Sequence, residues 1–398
     1  MRILILNDDY PPAGHGGASS VASDLAKALS KNHTVAVVTT VAKREDAGAG
    51  MEGDIKIWRA YSNYHERWRA WISLFNPGVL SRLKKIINEF KPDVVHAHNI
   101  HFHLSYHALR LAKRYGARVV LTAHDVMLFN YGKLPEGWSP TKRISAWSQA
   151  RAYRFRYNPF RNLIIRFYLR YVDKLIAVSA MLKDALAVNG IKMPIVVIPN
   201  GVDVLSIKSA SLGTESFRIK YKLSDKRLIL CAGRWSRGKG LDSLAHSLKE
   251  LFRTDPTLTL VIAGMSAQEA LNLGSNRCVG LGWLSRGKLA QAYQIASVTV
   301  VPSSSFDTFN LVAAEALATG CPVVVSRLAG ISDLVLEYNA GLVVDPANSS
   351  RMLNAIKLLL DDEGLRKRVI ANGVRLVKER LDLNQIVKHT ESLYKSNE

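Results

Sequence analysis

Cysteine is scarce: Cys231, Cys278 and Cys321 are the only three in 398 residues, and no two form a Cys-x-x-Cys pair. That excludes a disulfide framework and a thiolate zinc or redox motif, and it places the chain in a reducing, cytosolic compartment. Long hydrophobic runs are lacking as well. Residues 1–7 reach the polar Asp8-Asp9-Tyr10-Pro11-Pro12 too soon for a signal-peptide core, and no run approaches the roughly 20 apolar residues that span a bilayer. Acids are few: 33 Asp and Glu stand against 54 Lys and Arg, a net charge of +21. The surface therefore calls for an anionic partner such as phosphate, nucleic acid or acidic lipid. No repeat of fixed period occurs, which excludes a solenoid or propeller.

What is present reads as a globular chain. An apolar fraction of 48% with 22% charged residues excludes disorder as the main state. The length exceeds what one hydrophobic core usually covers, so two domains are expected. Short β-branched runs alternate with helical patterns, as in parallel sheets covered by helices. The first series of strands falls at 3–6, 34–39, 94–97, 119–122, 175–178 and 195–198. The second falls at 228–232, 258–263, 298–301, 323–325 and 342–344. The boundary lies near Pro199-Asn200-Gly201, giving domains over 1–200 and 201–380, with a helix over 381–398 returning to the first. Residues 1–200 hold 29 of the basic and 14 of the acidic residues, a net of +15. Within them, 133–170 carries nine Lys and Arg against the single acid Glu136, interleaved with Trp138, Trp147, Phe155 and other aromatics. That composition suits anionic lipid or nucleic acid.

Three segments carry chemistry. Gly14-His15-Gly16-Gly17 follows the first strand and opens a helix, so backbone N–H groups can face an anion. It lacks the G-x-G-x-x-G spacing of a dinucleotide site, and a tight turn without a ligand explains it equally well. Gly233-Arg234-Trp235-Ser236-Arg237-Gly238-Lys239-Gly240 satisfies the G-x-x-x-x-G-K part of a phosphate loop, but Gly240 stands where Ser or Thr would hold magnesium. Arg234 and Lys239 beside a helix start then point to phosphate binding without metal, against two solvated cations as the plain reading. Ser303-Ser304-Ser305-Phe306-Asp307-Thr308-Phe309-Asn310 precedes a helix over 311–318 that carries Glu315. Asp307 and Glu315 can accept hydrogen bonds from a hydroxylated ligand, or merely complement a helix dipole and a salt bridge.

Histidines cluster at His96, His98, His101, His103 and His107, yet His96 and His98 share one strand face with no carboxylate or cysteine beyond Asp93, so a metal tract is not expected. His124 ends a buried strand, where ligands collect in open α/β sheets, although a core histidine is the usual alternative.

Taken in order, these segments resemble the retaining GT-B glycosyltransferases of family four. The resemblance rests on Tyr10-Pro11-Pro12 leading to Gly16-Gly17, Pro92-Asp93-Val94-Val95-His96-Ala97-His98, Thr122 to His124, Val178-Ser179, Ile198-Pro199-Asn200-Gly201-Val202-Asp203, the Arg234/Lys239 loop, and the run Glu315 to Val324. It implies an α/β fold of two Rossmann-like doubly wound domains facing across a cleft, the first on the acceptor side and the second binding a nucleotide-sugar donor. Arg234 and Lys239 would hold the donor diphosphate, with backbone N–H groups of Gly16, Gly17, Asn310 and Leu311. Glu315 would take the ribose, Asp307 and His124 the transferred sugar, and the backbone around Trp283 and Leu284 the base. The implied reaction moves a hexose, most commonly from a uridine diphosphate sugar, to a hydroxyl of a glycan or lipid-linked glycan, with no metal or other cofactor and no nucleic acid. A cytoplasmic enzyme peripheral to the inner face of the membrane through 133–170 is the matching expectation. Two residues depart from the family pattern: Asp307 replaces the usual glutamate, and Asn310 stands where glycine is common. A basic nucleic-acid- or membrane-binding protein, or a GT-B epimerase or phosphorylase, is the alternative.

Overall fold

The computed structural model describes residues 1–396 except 13, 15, 133, 135, 136, 211, 212 and 235. His15 of the glycine loop, Trp235 of the phosphate loop and Lys133 at the head of the basic stretch lie outside the described residues. The chain divides into two units. One comprises Met1–Lys133, Pro140–Asn200 and Ile386–Glu398, the other Leu134–Ser139 and Gly201–Gln385.

In the first unit the strands are β1 (Arg2–Leu6), β2 (Thr34–Val41), β3 (Gly48–Glu52), β4 (Ile55–Tyr61), β5 (Val94–Ala97), β6 (Arg118–Ala123), β7 (Lys174–Ala177) and β8 (Ile195–Val197), in the order β3-β4-β2-β1-β5-β6-β7-β8. All pairings are parallel except β3 with β4. Ile3 to Leu6 are wholly buried, as expected of a central strand covered on both faces. The helix Gly17–Leu29 packs through Ala22, Leu25, Ala26 and Leu29, one stripe at helical spacing. The final helix, Leu383–Lys395, places Tyr394 in this unit, where its hydroxyl lies 2.6 Å from His96 Nδ1.

The second unit holds β9 (Arg227–Ala232), β10 (Leu258–Ala263), β11 (Cys278–Gly282), β12 (Val298–Val301), β13 (Val323–Ser326) and β14 (Leu342–Val344), all parallel, in the order β11-β10-β9-β12-β13-β14. Its core includes Leu241, Leu244 and Leu248 of the helix Leu241–Thr254, together with Cys231 and Cys278. Burial raises all three thiols above their ordinary range, Cys278 to about 11 and Cys321 to about 12, so they behave as small apolar groups.

Three strands go beyond those expected. β3 reads Gly-Ala-Gly-Met-Glu, with little β propensity, and is held by its antiparallel partner β4. In β4, Lys56 and Arg59 interrupt the apolar pattern. β11 contains two glycines, and at Gly280 any Cβ would overlap the Ser266 carbonyl. The span 1–200 is also interrupted: Leu134–Ser139 pack with the second unit, where buried Trp138 lies 5.6 Å from the Phe306 ring. Among the described residues no helix is long and apolar enough to cross a membrane.

Candidate functional site

Each sheet reverses its winding once, between β1 and β5 in the first and between β9 and β12 in the second. Open α/β sheets bind ligands outside the carboxyl ends of strands flanking such a point, because the outgoing loops part there. The chemistry-bearing segments sit at these places. In the second unit Arg234 and Lys239 follow β9, while Asp307 and Asn310 follow β12. In the first, Gly16 and Gly17 follow β1 and His98 follows β5, while His124 follows β6, one strand beyond the reversal.

The second-unit site is built from two loops bonded to each other. Ser304 N–H and Ser305 N–H donate to the Gly238 carbonyl at 3.0 and 3.2 Å, and Ser305 Oγ donates to it at 3.1 Å. Gly240 has a left-handed φ of 72° and caps the helix Leu241–Thr254, and a Cβ there would overlap the Pro302 carbonyl oxygen. This explains the departure from the magnesium-holding phosphate loop: the backbone needs glycine where that motif has a hydroxyl residue.

Lys239 Nζ donates to Asp307 Oδ2 at 2.6 Å, and Asn310 Nδ2 donates to the same oxygen at 3.0 Å. Burial by itself would raise the Asp307 carboxyl. The Lys239 charge, the hydrogen bonds of Lys239 and Asn310, and the Phe309 N–H outweigh it and hold the group below the usual carboxylate range. Asn310 adopts φ 81°, a left-handed conformation that asparagine tolerates better than most residues, so the turn forms without glycine. Its Oδ1 accepts from the Ala313 N–H and caps the helix Leu311–Ala318. The first-turn N–H groups, Leu311 among them, have no intrahelical acceptor and carry the positive end of the helix dipole. Arg234 is exposed beside them, and with Lys239 and Asn310 it lines one hollow between β9 and β12.

One helical turn into that helix, Glu315 Oε2 accepts from the Tyr293 hydroxyl at 3.1 Å, with Arg286 Nε 3.9 Å from Oε1. Tyr293 and Arg286 lie on the helix Arg286–Ile295, and no local pattern marks them as partners of a glutamate more than twenty residues on. Trp283 is 59% exposed just after β11, on the loop that leads to this helix.

In the first unit His96, His98 and His124 form a buried array. His96 Nε2 meets Thr122 Oγ1 at 2.8 Å, and its ring stacks on His98 with centroids 4.3 Å apart. His98 Nδ1 lies 2.8 Å from His124 Nε2. Burial lowers all three, His96 to about 3, His124 to about 4 and His98 well below the ordinary value, so the rings are neutral at pH 7. One proton joins His98 to His124. His98 Nε2 is buried with no partner among the described residues. The His96-x-His98 spacing on a strand placed both rings on one face, but the tie to His124 needed β5 beside β6.

This array has a pH consequence. The folded values lie below those of the unfolded chain, so the stabilisation is complete above about pH 6.5 and is lost as pH falls, by about 1.4 kcal/mol per unit for each histidine. Asp8 works in the opposite sense. Burial pushes it up to about 7, against three N–H groups from Phe102, His103 and Leu104, and it offsets about one histidine between pH 4 and 7. The unfolding midpoint should therefore fall from pH 7.5 to 6 and again to 5, more steeply below pH 6. A midpoint that held constant would mean the rings are charged in the fold.

Two family models match the chain, Glycosyltransferase Family 4 over residues 15–204 and Glycosyl transferases group 1 over 214–375. Glycogen synthase of Mycobacterium tuberculosis is 25% identical over 99% of this chain and 94% of its own. Among solved structures, sucrose-phosphate synthase from Thermosynechococcus elongatus superposes with a TM-score of 0.76 at 20% identity, over 99% of this chain and 98% of that one. The HepE protein of Anabaena, solved in complex with UDP and glucose, gives 0.70 at 18% identity over 98% of each.

Proposed function

The chain belongs to the group 1 glycosyltransferases, with the GT-B fold of two Rossmann-like units, and we propose that it transfers a hexose with retention from a uridine diphosphate sugar to a hydroxyl of a glycan or lipid-linked glycan. The observation that carries this reading is the cluster of Arg234, Lys239, Asp307 and Asn310 at the start of the helix Leu311–Ala318, beside the reversal point of its sheet. HepE, similar in fold, binds UDP and glucose, which favours this donor class.

Cleavage of the anomeric bond leaves negative charge on the diphosphate. Arg234, Lys239 and the N–H groups of Asn310 and Leu311 are assigned to that charge. Fixed cations and a helix start stabilise it with no metal required. Asp307 accepts from sugar hydroxyls and Glu315 from the ribose. The backbone at Trp283 and Leu284 is assigned to the base. Retention follows if the acceptor attacks from the face the nucleotide leaves, its proton passing to the departing phosphate.

The test is acceptor-free hydrolysis of uridine, guanosine and adenosine diphosphate sugars in chelator. The expected result is slow nucleotide release from a uridine diphosphate hexose, with the anomeric configuration kept in the sugar first formed. In the same assay Glu315→Ala should weaken donor binding roughly 10- to 100-fold, the loss of one charge-assisted contact. No release from any donor, together with no thermal stabilisation by free nucleoside diphosphates, would overturn the reading. An unchanged affinity in Glu315→Ala would remove its ribose role alone.

A further inference from the structure

The structure divides the basic aromatic stretch into core and surface. Trp138, Tyr157, Tyr168 and the guanidinium-bearing Arg161 are buried, and Arg161 donates to the Met127 carbonyl at 2.6 Å. Other side chains in the same stretch stand in water: Phe155 is fully exposed, Trp147 is 77% exposed and Leu163 65%. They lie on the helix Ala146–Tyr153, the turn Arg154–Arg156 and the helix Arg161–Leu169, the crossover between β6 and β7. Arg154 enters that turn at a left-handed φ of 46°, a conformation a non-glycine residue adopts only where the surroundings hold it there.

Two grooves adjoin this face and share Leu163 and Arg166 as a common wall. One, of about 720 Å³, runs past Phe167 and Arg170 to Ile191, Lys192 and Met193, and its lining is mainly apolar. The other, of about 560 Å³, reaches Arg143 and Pro159. Arg151, Arg154, Arg156, Arg166 and Arg170 of the same segment are all exposed, Arg166 and Arg170 on the groove wall, and no Asp or Glu occurs from Gly137 to Val172.

We propose that this face is a docking surface for an anionic phospholipid bilayer, with Trp147, Phe155 and Leu163 entering below the headgroups and the arginines pairing with lipid phosphates. Charge complementarity selects this occupant. A second copy of the chain would bring another net charge of +21 against a patch free of acids. A nucleic acid would pair with the arginines but would not take up aliphatic Leu163 or fill mainly apolar grooves. A bilayer satisfies both sets, since long cationic side chains reach to the phosphates while apolar tips sit among acyl chains. The surface does not depend on the donor chemistry, because its residues are separate from those assigned to the donor.

The experiment is vesicle sedimentation of the intact chain at low salt. Vesicles of phosphatidylcholine containing about a third phosphatidylglycerol should carry the protein down, and pure phosphatidylcholine should not. The double variant Phe155→Ser/Leu163→Ser should bind at least about tenfold more weakly, and Arg154→Glu/Arg156→Glu should lose binding. Both variants alter only exposed side chains, so their unfolding midpoints and their hydrolysis of a soluble donor should match the parent. Three results would each overturn the proposal: no sedimentation with the acidic vesicles, affinity unchanged by Phe155→Ser/Leu163→Ser, or binding to random single-stranded RNA that outcompetes the vesicles. Failure of donor hydrolysis in the parent chain would overturn the enzymatic reading and leave the docking result standing.

Discussion

Lys239→Ala will reduce donor turnover by about 10²–10³-fold, the usual effect of removing one preorganised group from a developing negative charge. Lys239 Nζ is already aimed by its 2.6 Å bond to Asp307, so little reorganisation is needed when a diphosphate arrives. The substitution should hardly affect the fold. Lys239 is 39% exposed in its pair with Asp307, so solvent screening limits the lost ion pair to under about 1 kcal/mol. Asp307 keeps Asn310 and the Phe309 N–H as partners, and its carboxyl should move upward once the lysine charge is gone. Asp307→Asn separates the two assignments. On the proposed assignments it frees Lys239 for the diphosphate and removes a sugar contact, so turnover should fall while affinity for the free nucleoside diphosphate holds or improves. Steady-state kinetics with calorimetric titration of the nucleotide checks both variants. Near-parental turnover in Lys239→Ala would remove the lysine from the diphosphate site.

Gly240→Ser restores on paper the hydroxyl residue of a magnesium-holding phosphate loop, and the expected result is an unfolded second unit with no gain in metal affinity. The left-handed φ of 72° costs a serine about 1–2 kcal/mol. The larger penalty comes from overlap of the new Cβ with the Pro302 carbonyl, in a loop pair that cannot slide apart while Ser304 and Ser305 are bonded to Gly238. Together these should exceed about 4 kcal/mol, a loss few domains survive. Gly274→Ala is the control. It also has positive φ, at 75°, but its Cβ would meet only the mobile end of Lys249, so the backbone term of about 1–2 kcal/mol should be all that is lost. A soluble Gly240→Ser protein with the parental unfolding midpoint would refute the packing argument.

Legibility along the chain followed the kind of signal each element left. Buried parallel strands such as β1, β10 and β12 are continuous β-branched or aliphatic runs, because helices cover both faces, and such runs stand out in a sequence. β3, β4 and β11 left no such run, since glycines and charged residues dilute them and only their partners define them as strands. Within the site, Arg234, Lys239, Asp307 and Glu315 were visible through motif order. Tyr293 and Arg286, which hold Glu315, were not, because helix-to-helix contacts leave no spacing rule. Asn310 was legible as a backbone donor that departs from glycine, but not as the side chain that caps the helix and bonds Asp307.

The sequence by itself determined the class of the two units, the family, and which residues can carry charge to a phosphate or accept from a hydroxyl. These follow from local patterns: alternation of strand and helix, glycine before a helix start, and the order of the motifs. Only the tertiary structure decided the state of those groups. It paired Lys239 with Asp307, tied the His124 ring to His98, made Gly240 obligatory through Pro302, and sorted the aromatics near the basic stretch into core and surface. Each of these depends on two segments far apart in the chain meeting at ångström range. Charge state, tautomer and steric room are set by such neighbours, and a linear pattern does not record them.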